Sequence, residues 1–152
     1  MPVHRSHDGQ NDRERERMRA LIARLSDADL KRPMPAGWTI AGVLAHIGFW
    51  DARASYWIDR WAGGMEPAKP DYETEEDVGW INDSAKPICL ALPPRAAADL
   101  AMRLAEESDA KVKGLSEKTL AKAIEVGLPF NLSRAEHRAE HLDDIDRALG
   151  KR

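Results

Sequence analysis

Two histidines near the end of the chain stand at a spacing that suits a shared metal ion. His137 and His141 are four residues apart in the segment SRAEHRAEH, which begins at Ser133. Residues four apart on a helix project from the same side, so both imidazoles can reach one ion. Imidazole suits zinc, nickel, copper or iron. Because two helical histidines supply only part of a usual coordination shell, a third ligand has to come from another segment.

The best candidate for the third ligand is His46, which follows Trp38 in a stretch of apolar residues at helical spacing. At about 100° per residue, His46 falls at the edge of the apolar face of this helix. His137 and His141 fall on the border of the apolar stripe in the last helix. An isolated histidine beside an apolar stripe is more often hydrogen-bonded or half-exposed than a ligand. The paired spacing favours the metal hypothesis, with the site at a cleft between the two helices.

Apolar periodicity predicts the helices that must carry these residues. The first four are expected at about 11–25, 39–61, 74–92 and 94–114, followed by a short helix at about 116–126 and a last one at 133–150. Ser133 and Glu136 form a capping-box pattern at the start of the last helix, and Gly150 is placed to end it. Residues 1–9 have the composition of a flexible tail.

The third predicted helix has the apolar pattern of a bundle seam. Its apolar positions step by three and four, at Val78, Ile81, Ala85, Ile88 and Leu92. Gly63, Gly64, Pro67 and Pro70 precede it and mark the longest break between helices. Such a connection can cross one end of a bundle.

Composition favours a single domain that does not bind nucleic acid or membranes. The 152 residues carry 23 basic and 26 acidic side chains, and their net charge of -3 is spread along the chain. No apolar run approaches the length that spans a membrane, and the N-terminus is polar instead of resembling a signal peptide. A single cysteine excludes an internal disulfide and favours a cytoplasmic location.

The motifs around the histidines resemble those of a known family. The pattern WTIxxxLxHI, which contains His46, is followed about ninety residues later by HxxxHxxxI, which begins at His137. Together they resemble the DinB-like family of bacterial four-helix proteins, whose superfamily includes the mycothiol-dependent maleylpyruvate isomerase type of enzyme. The resemblance covers nearly the whole chain. It implies an all-α four-helix bundle, up-down with a long crossover connection, as one domain over residues 1–152.

The resemblance also implies a function. A divalent metal, zinc or nickel, would be held by His46, His137 and His141, with open coordination positions facing a pocket. A low-molecular-weight thiol, such as mycothiol or bacillithiol, would be the cosubstrate for transfer to a small-molecule electrophile or for its isomerisation. The main alternative is a non-catalytic metal-binding or stress-protective protein. A further alternative is a bundle with a degenerate site, whose main role is association as a homodimer.

Two tryptophans are candidates for the wall of the metal pocket. Trp50 and Trp57 lie on the flank of His46, although large rings at helical spacing usually belong to the core. The loop before the last helix contains Leu128 and Phe130. Loops of this kind often lie over the end of a bundle, so both residues are expected to line the opening of the pocket.

Two polar residues are candidates for substrate binding. Asn82 can orient a substrate or a metal-bound water, or it can form a cap or an interhelical hydrogen bond instead. Arg138 falls near the centre of the apolar stripe in the last helix. If it points inward it can bind a substrate carboxylate; the alternative is a salt bridge or a side chain that extends to solvent.

The last helix also fits a competing catalytic motif. The segment from His137 to His141 reads HxxEH, the pattern of the inverted zinc peptidases, in which Glu140 would be the general base. Those enzymes need a further carboxylate ligand well downstream. Only eleven residues follow His141, too few for another ligand helix, so the sequence favours the three-histidine site.

Overall fold

The computed structural model describes residues 4–68, 74–128 and 131–150. Over these ranges the chain forms seven helices and one antiparallel ribbon of two short strands. The helices are α1 (Ser6–Arg24), α2 (Asp27–Leu30), α3 (Ile40–Ala62), α4 (Glu75–Ala91), α5 (Pro94–Lys113), α6 (Glu117–Val126) and α7 (Arg134–Ala148). The strands are β1 (Pro33–Met34) and β2 (Trp38–Thr39), which pair across a 3₁₀ turn. The all-α prediction is confirmed.

Four helices surround the main core. α3 packs most extensively against α5, α5 packs against α1, α1 packs against α7, and α7 returns to α3. These contacts place the two predicted ligand helices, α3 and α7, side by side. Within the described residues, no helix is both long and apolar enough to cross a membrane. The homodimer and the cytoplasmic location stay predictions.

α3 is the most deeply buried part of the fold. Every residue from Ile40 to Gly48 is buried, which explains why the apolar pattern of this segment stood out in the sequence. Gly48 permits the close approach of α5, because an added Cβ would lie 3.1 Å from Leu104 Cδ1 and 3.3 Å from Ala101 Cα. The helix begins as predicted, with the backbone N–H of Gly42 donating to Thr39 Oγ1 at 3.0 Å.

The prediction that the third long helix forms a bundle seam is wrong in one respect. α4 packs mainly against α3, and its other side is open. Ile88, a predicted seam residue, is 69% exposed, and Trp80 is 62% exposed. Apolar spacing identifies the face of a helix that contacts a neighbour, but it does not show whether the neighbour is extensive enough to bury the whole stripe.

Two predicted helix starts also differ from the structure. α1 begins at Ser6, so residues 6–9 of the predicted tail are helical, while residues 1–3 lie outside the described part. At α7 the Ser133 hydroxyl does not cap the helix. Asn131 replaces the predicted capping box: its Oδ1 accepts from the Ser133 backbone and its Nδ2 donates to Glu136, both at 2.9 Å. Gly150 ends the helix region as predicted, with φ at 77°.

Candidate metal centre

His46 lies among buried residues and aromatic rings. It lies on the buried half of α3 and is only 6% exposed. The ring of Trp38, from strand β2, stands edge-on to the imidazole with 5.5 Å between ring centroids. The β1–β2 ribbon and the start of α3 therefore together determine where this ring points.

The other two histidines come from α7 and meet His46 at their Nε2 atoms. His137 Nε2 lies 3.2 Å from His46 Nε2 and 3.1 Å from His141 Nε2. One ligand nitrogen from each residue falls within 4.8 Å of the others. Two nitrogens bound to a tetrahedral zinc at about 2.0–2.1 Å would be about 3.3 Å apart. The donor set and its spacing therefore fit a transition-metal ion such as zinc or nickel.

The three rings are neutral at physiological pH. Burial, together with the charge of nearby His141, lowers the pKa of His46 to about 4. Burial also lowers the pKa of His137 to about 2, with further contributions from the two other rings and two neighbouring arginines. Burial lowers the pKa of His141, although Glu140 and Asp144 oppose the shift. Neutral imidazoles keep the nitrogen lone pairs that a metal needs.

The outer contacts of the rings differ. Asp144 Oδ2 lies 3.9 Å from His141 Nδ1, while Oδ1 of the same carboxylate pairs with Arg147. A carboxylate on the far nitrogen of a histidine ligand helps to set its tautomer and basicity, although this distance exceeds that of a direct hydrogen bond. Nδ1 of His137 is buried and has no hydrogen-bond partner within the described ranges. The orientation of His137 therefore comes from the placement of α7 and from its ring contacts with Trp50 and the other two histidines.

A cleft of about 750 Å³ opens beside His46 and His141. Its apolar wall comes from the ribbon, α3 and α7, through Met34, Pro35, Trp38, Val43 and Ala148. Its polar side comes from α4 and α7, through Asn82, Asp83, Asp144 and Arg147. A volume of this size, mostly apolar with a few polar groups, suits a small molecule.

The hydrogen bond between Trp50 and Asn82 fixes the orientation of an amide at the cleft. Trp50 Nε1 donates to Asn82 Oδ1 at 2.8 Å, which joins α3 to α4. Because an indole nitrogen is only a donor, Asn82 must present its oxygen to the tryptophan. Asn82 also lines the cleft. Its –NH₂ group is therefore the part of the amide left to donate to a bound molecule. The Trp50 ring lies behind it, edge-on to His137 with 6.5 Å between centroids.

None of the residues predicted for the wall or opening of the pocket lines this cleft within the described part: Trp50 lies beside His137, and the other three lie elsewhere or outside the described residues. Trp57 and Leu128 pack against a second apolar cluster, formed by Ile58, Trp61, Val112, Leu115, Leu120, Ala123 and Leu132. Neither lines the cleft described here. Phe130 lies outside the described residues. Trp57 lies about two turns beyond Trp50 on α3, and this length of helix carries it past the end of the cleft.

Arg138 forms a buried salt bridge, which was the predicted alternative to binding a substrate carboxylate. It is 0% exposed, and its guanidinium donates to Asp51 and Asp109 at 2.8 to 3.3 Å. Burial alone would lower the pKa of Arg138, but these two carboxylates raise it. The side chain therefore stays charged inside the core and offers no open face to a substrate carboxylate.

Sequence reasoning missed several residues around the centre. The sequence pattern gave no reason to single out Asp51 or its partner in the fold, Asp109. Trp38 was also not identified as a residue of the cleft wall, which it forms. For Asp144 a signal was present: it follows His141 by three residues, so the two share one side of α7.

Comparison with known proteins identifies the family. Residues 10–143 match the family model described as the DinB superfamily, and this range includes His46, His137 and His141. No significant match was found among curated proteins or among solved structures. The family match covers well over half of the 152 residues. The chain belongs to the DinB superfamily.

Proposed function

We propose that the chain is a metal-dependent enzyme that uses a low-molecular-weight thiol, either as an S-transferase or as an isomerase. The observation that carries the proposal is the convergence of three neutral imidazoles, from two helices, at the wall of a cleft large enough for a small molecule. His46 and His141 line that cleft directly, and His137 completes the set behind them. Three unrelated surface histidines would not be expected to bring their Nε2 atoms together in this way.

A bound zinc or nickel ion would lower the pKa of a coordinated thiol or water toward neutrality. The protein's own residues supply binding and orientation. Trp38, Val43 and Met34 offer an apolar surface that keeps water from one side of the cleft. We propose that the –NH₂ group of Asn82 donates a hydrogen bond to an oxygen of the substrate, because Asn82 Oδ1 already accepts one from Trp50.

Two finer features of the fold belong to the same proposal. We propose that α1, α3, α5 and α7 run up-down in the manner of the family's four-helix bundle. The connection between α3 and α4 would then be the crossover of the family's bundle, with α4 packed against α3. This arrangement leaves the cleft between the ribbon, α4 and α7 open to small molecules.

Metal analysis of protein purified without a histidine tag tests the metal centre. We expect about one zinc or nickel ion per chain, because the three nitrogens provide one site. His137→Ala should lose the metal, since it removes the ligand that lies within 3.2 Å of both others. His4→Ala is the matched control, because His4 is an exposed histidine outside the site and should not affect the metal. Absence of metal from the wild-type protein, or equal metal in both variants, would contradict the metal centre.

Turnover with a panel of low-molecular-weight thiols and electrophiles tests the chemistry. We expect thiol consumption that a chelator abolishes and added zinc or nickel restores. Bound metal without chelator-sensitive turnover would refute the enzyme and favour the stress-protective binding protein. Asn82→Asp should weaken substrate binding and leave the metal in place, because it replaces the donor that faces the cleft. Ser84→Ala is its control on the same helix, since Ser84 is exposed and bonds only the backbone of Ile81.

A further inference from the structure

Four buried charges form a network across the main core. Its members, Asp51, Asp109, Arg134 and Arg138, are 0%, 1%, 5% and 0% exposed. Asp51 accepts from Arg134 Nε at 2.9 Å and from Arg138 Nη2 at 3.1 Å. Arg138 also forms a two-pronged pair with Asp109, with both distances at 2.8 Å. We refer to these four residues as the buried charge network.

The network joins the two helices that carry the metal ligands, close to the ligands themselves. Asp51 lies on α3, five residues after His46. Arg134 and Arg138 lie on α7, three residues before and one residue after His137. The bonds from Asp51 to the two arginines are therefore direct links between the ligand helices. Asp109, by contrast, lies on α5, where no described residue is a histidine.

The two ligand helices pack against each other less extensively than each packs against its main neighbour. α3 packs far more extensively on α5 than on α7. His137 has no hydrogen bond on its buried Nδ1 from any described residue, so its ring is oriented only through Nε2 and through its ring contacts among those residues. A small slide or rotation of α7 would change the 3.2 Å separation between the Nε2 atoms of His137 and His46. The link through Asp51 opposes such a movement.

Stability alone is a weak reason for a fold to contain these charges. Well-packed apolar residues in place of a buried ion pair often leave a protein equally stable or more so. An ion pair differs from apolar packing in fixing geometry, because the guanidinium fork accepts a carboxylate only in a narrow range of positions. A metal centre needs such geometry, since its ligands must converge to within a few tenths of an ångström.

We propose that Asp51 is a positioning residue for the metal centre: by holding Arg134 and Arg138, it sets α7 against α3 and presets the spacing of His46 and His137. The inference rests on the proposed three-histidine metal site. Asp51 itself does not touch the metal or the cleft. Its effect passes through the backbone of α7.

A matched pair of substitutions separates positioning from stability. Asp51→Asn and Asp109→Asn each remove one buried carboxylate charge and each leave Arg138 with one carboxylate. Zinc affinity is measured by competition with a chromophoric chelator, at a temperature where circular dichroism shows both metal-free variants folded. We expect a loss of about 10–100-fold for Asp51→Asn, as for other residues that orient a metal ligand, and a loss of less than about threefold for Asp109→Asn.

Substitution of cobalt for zinc gives a spectrum that would not change if Asp51 contributed only to the stability of the fold. The visible absorption of bound Co²⁺ depends on the geometry of its ligands. We expect Asp51→Asn to change this spectrum and Asp109→Asn to leave it like that of the wild type. If Asp51→Asn does not fold, Arg134→Met replaces it, because Asp51 then still pairs with Arg138. Its control is Arg15→Met, which removes a partner of Asp109 instead.

Each outcome decides the inference. Lower zinc affinity and an altered cobalt spectrum in Asp51→Asn alone would support it. Equal zinc affinity in Asp51→Asn and Asp109→Asn, or unchanged cobalt spectra, would overturn the positioning role and leave the proposed metal centre intact. If the wild-type chain binds neither zinc nor cobalt, the metal centre fails and this inference fails with it.

Discussion

Removal of Arg138 is the most direct test of how the buried charges support the fold. Its guanidinium is completely enclosed and donates to Asp51, Asp109, Ser108 and the backbone of Asn11. Arg138→Met removes the charge and keeps a long apolar side chain in the same space. Both carboxylates then lose one partner. Arg134 still faces Asp51 and, from α1, Arg15 still faces Asp109.

The expected loss follows from these remaining partners. Breaking a buried ion pair by removing one side costs about 3–5 kcal/mol of unfolding free energy. Each carboxylate keeps one arginine, so we expect the lower end, about 3 kcal/mol. For a chain of 152 residues, this corresponds to a fall in Tm of about 6–12 °C.

The loss should depend on pH in a definite direction. Burial raises the pKa of Asp51, and Arg138 and Arg134 oppose this shift. Without Arg138 the burial is less compensated, so the pKa of Asp51 in the folded variant lies further above that in the unfolded chain. A carboxyl group with a raised folded pKa binds more protons in the native state, so stability falls as pH rises through that window. The deficit of Arg138→Met is therefore largest at neutral pH and smaller at pH 5.

Urea unfolding of the metal-free protein, followed by circular dichroism at pH 7.5 and pH 5, measures both effects. Arg103→Met is the matched control, because Arg103 forms a 3.9 Å pair with Glu107 at the surface of α5. Such an exposed pair contributes less than about 0.5 kcal/mol. The reasoning is refuted if Arg138→Met stays within about 1 kcal/mol of the wild type. It is also refuted if the deficit is the same at both pH values.

Three further predictions concern the site and its helices. His141→Ala should weaken zinc binding by more than the 10–100-fold typical of outer residues, because it deletes a ligand; equilibrium dialysis measures this. The metal-free protein should lose stability as pH falls below about 6.5, because burial lowers the pKa of His46 to about 4 and protonation therefore favours the unfolded chain. An acid titration of the wild type and of His46→Phe checks this, since the variant should lose less stability over the same pH range. Gly48→Ala should destabilise the fold by about 1–3 kcal/mol, because the backbone of α5 cannot yield to the new methyl group. Gly79→Ala should stabilise it by about 0.5–1 kcal/mol, because the space around Gly79 is open. Thermal melts of both variants show the sign of each change.

The helices and the histidine set could be predicted because their signals are local. Apolar spacing within one segment defines the buried face of a helix, and His46 falls on the edge of such a face. The same is true of His137 and His141 on α7. Their convergence was predicted because each histidine lies at the edge of an apolar face, where two packed helices leave a cleft. The distances between the Nε2 atoms agree with this prediction. At the start of α7, Asn131 forms hydrogen bonds to Ser133 and Glu136 in place of the capping box that was predicted for Ser133. These bonds are also local in sequence, but the capping-box pattern begins at Ser133 and does not include a residue of the preceding loop.

The buried charge network could not be predicted because its pairs lie far apart in sequence. Arg138 and Asp51 are separated by 87 residues, and Arg138 and Asp109 by 29. Only the assembled fold shows that these charges face one another. The exposed face of α4 has a related cause: periodicity identified its contact with α3, but the exposure of Ile88 depends on how the whole chain packs.

The two roles of α7 follow from two adjacent stripes on its surface. One stripe faces the core and contains Arg134, Arg138, Leu142 and Ile145, all buried. The other contains His137, His141, Asp144 and Ala148, which step by three or four residues, and all of these except His137 line the cleft. Because both stripes belong to one rigid helix, a rotation that moved the histidines off His46 would also pull the arginines from Asp51. The buried charge network and the three histidines thus depend on the same orientation of α7, which is the basis of the positioning role that we propose for Asp51.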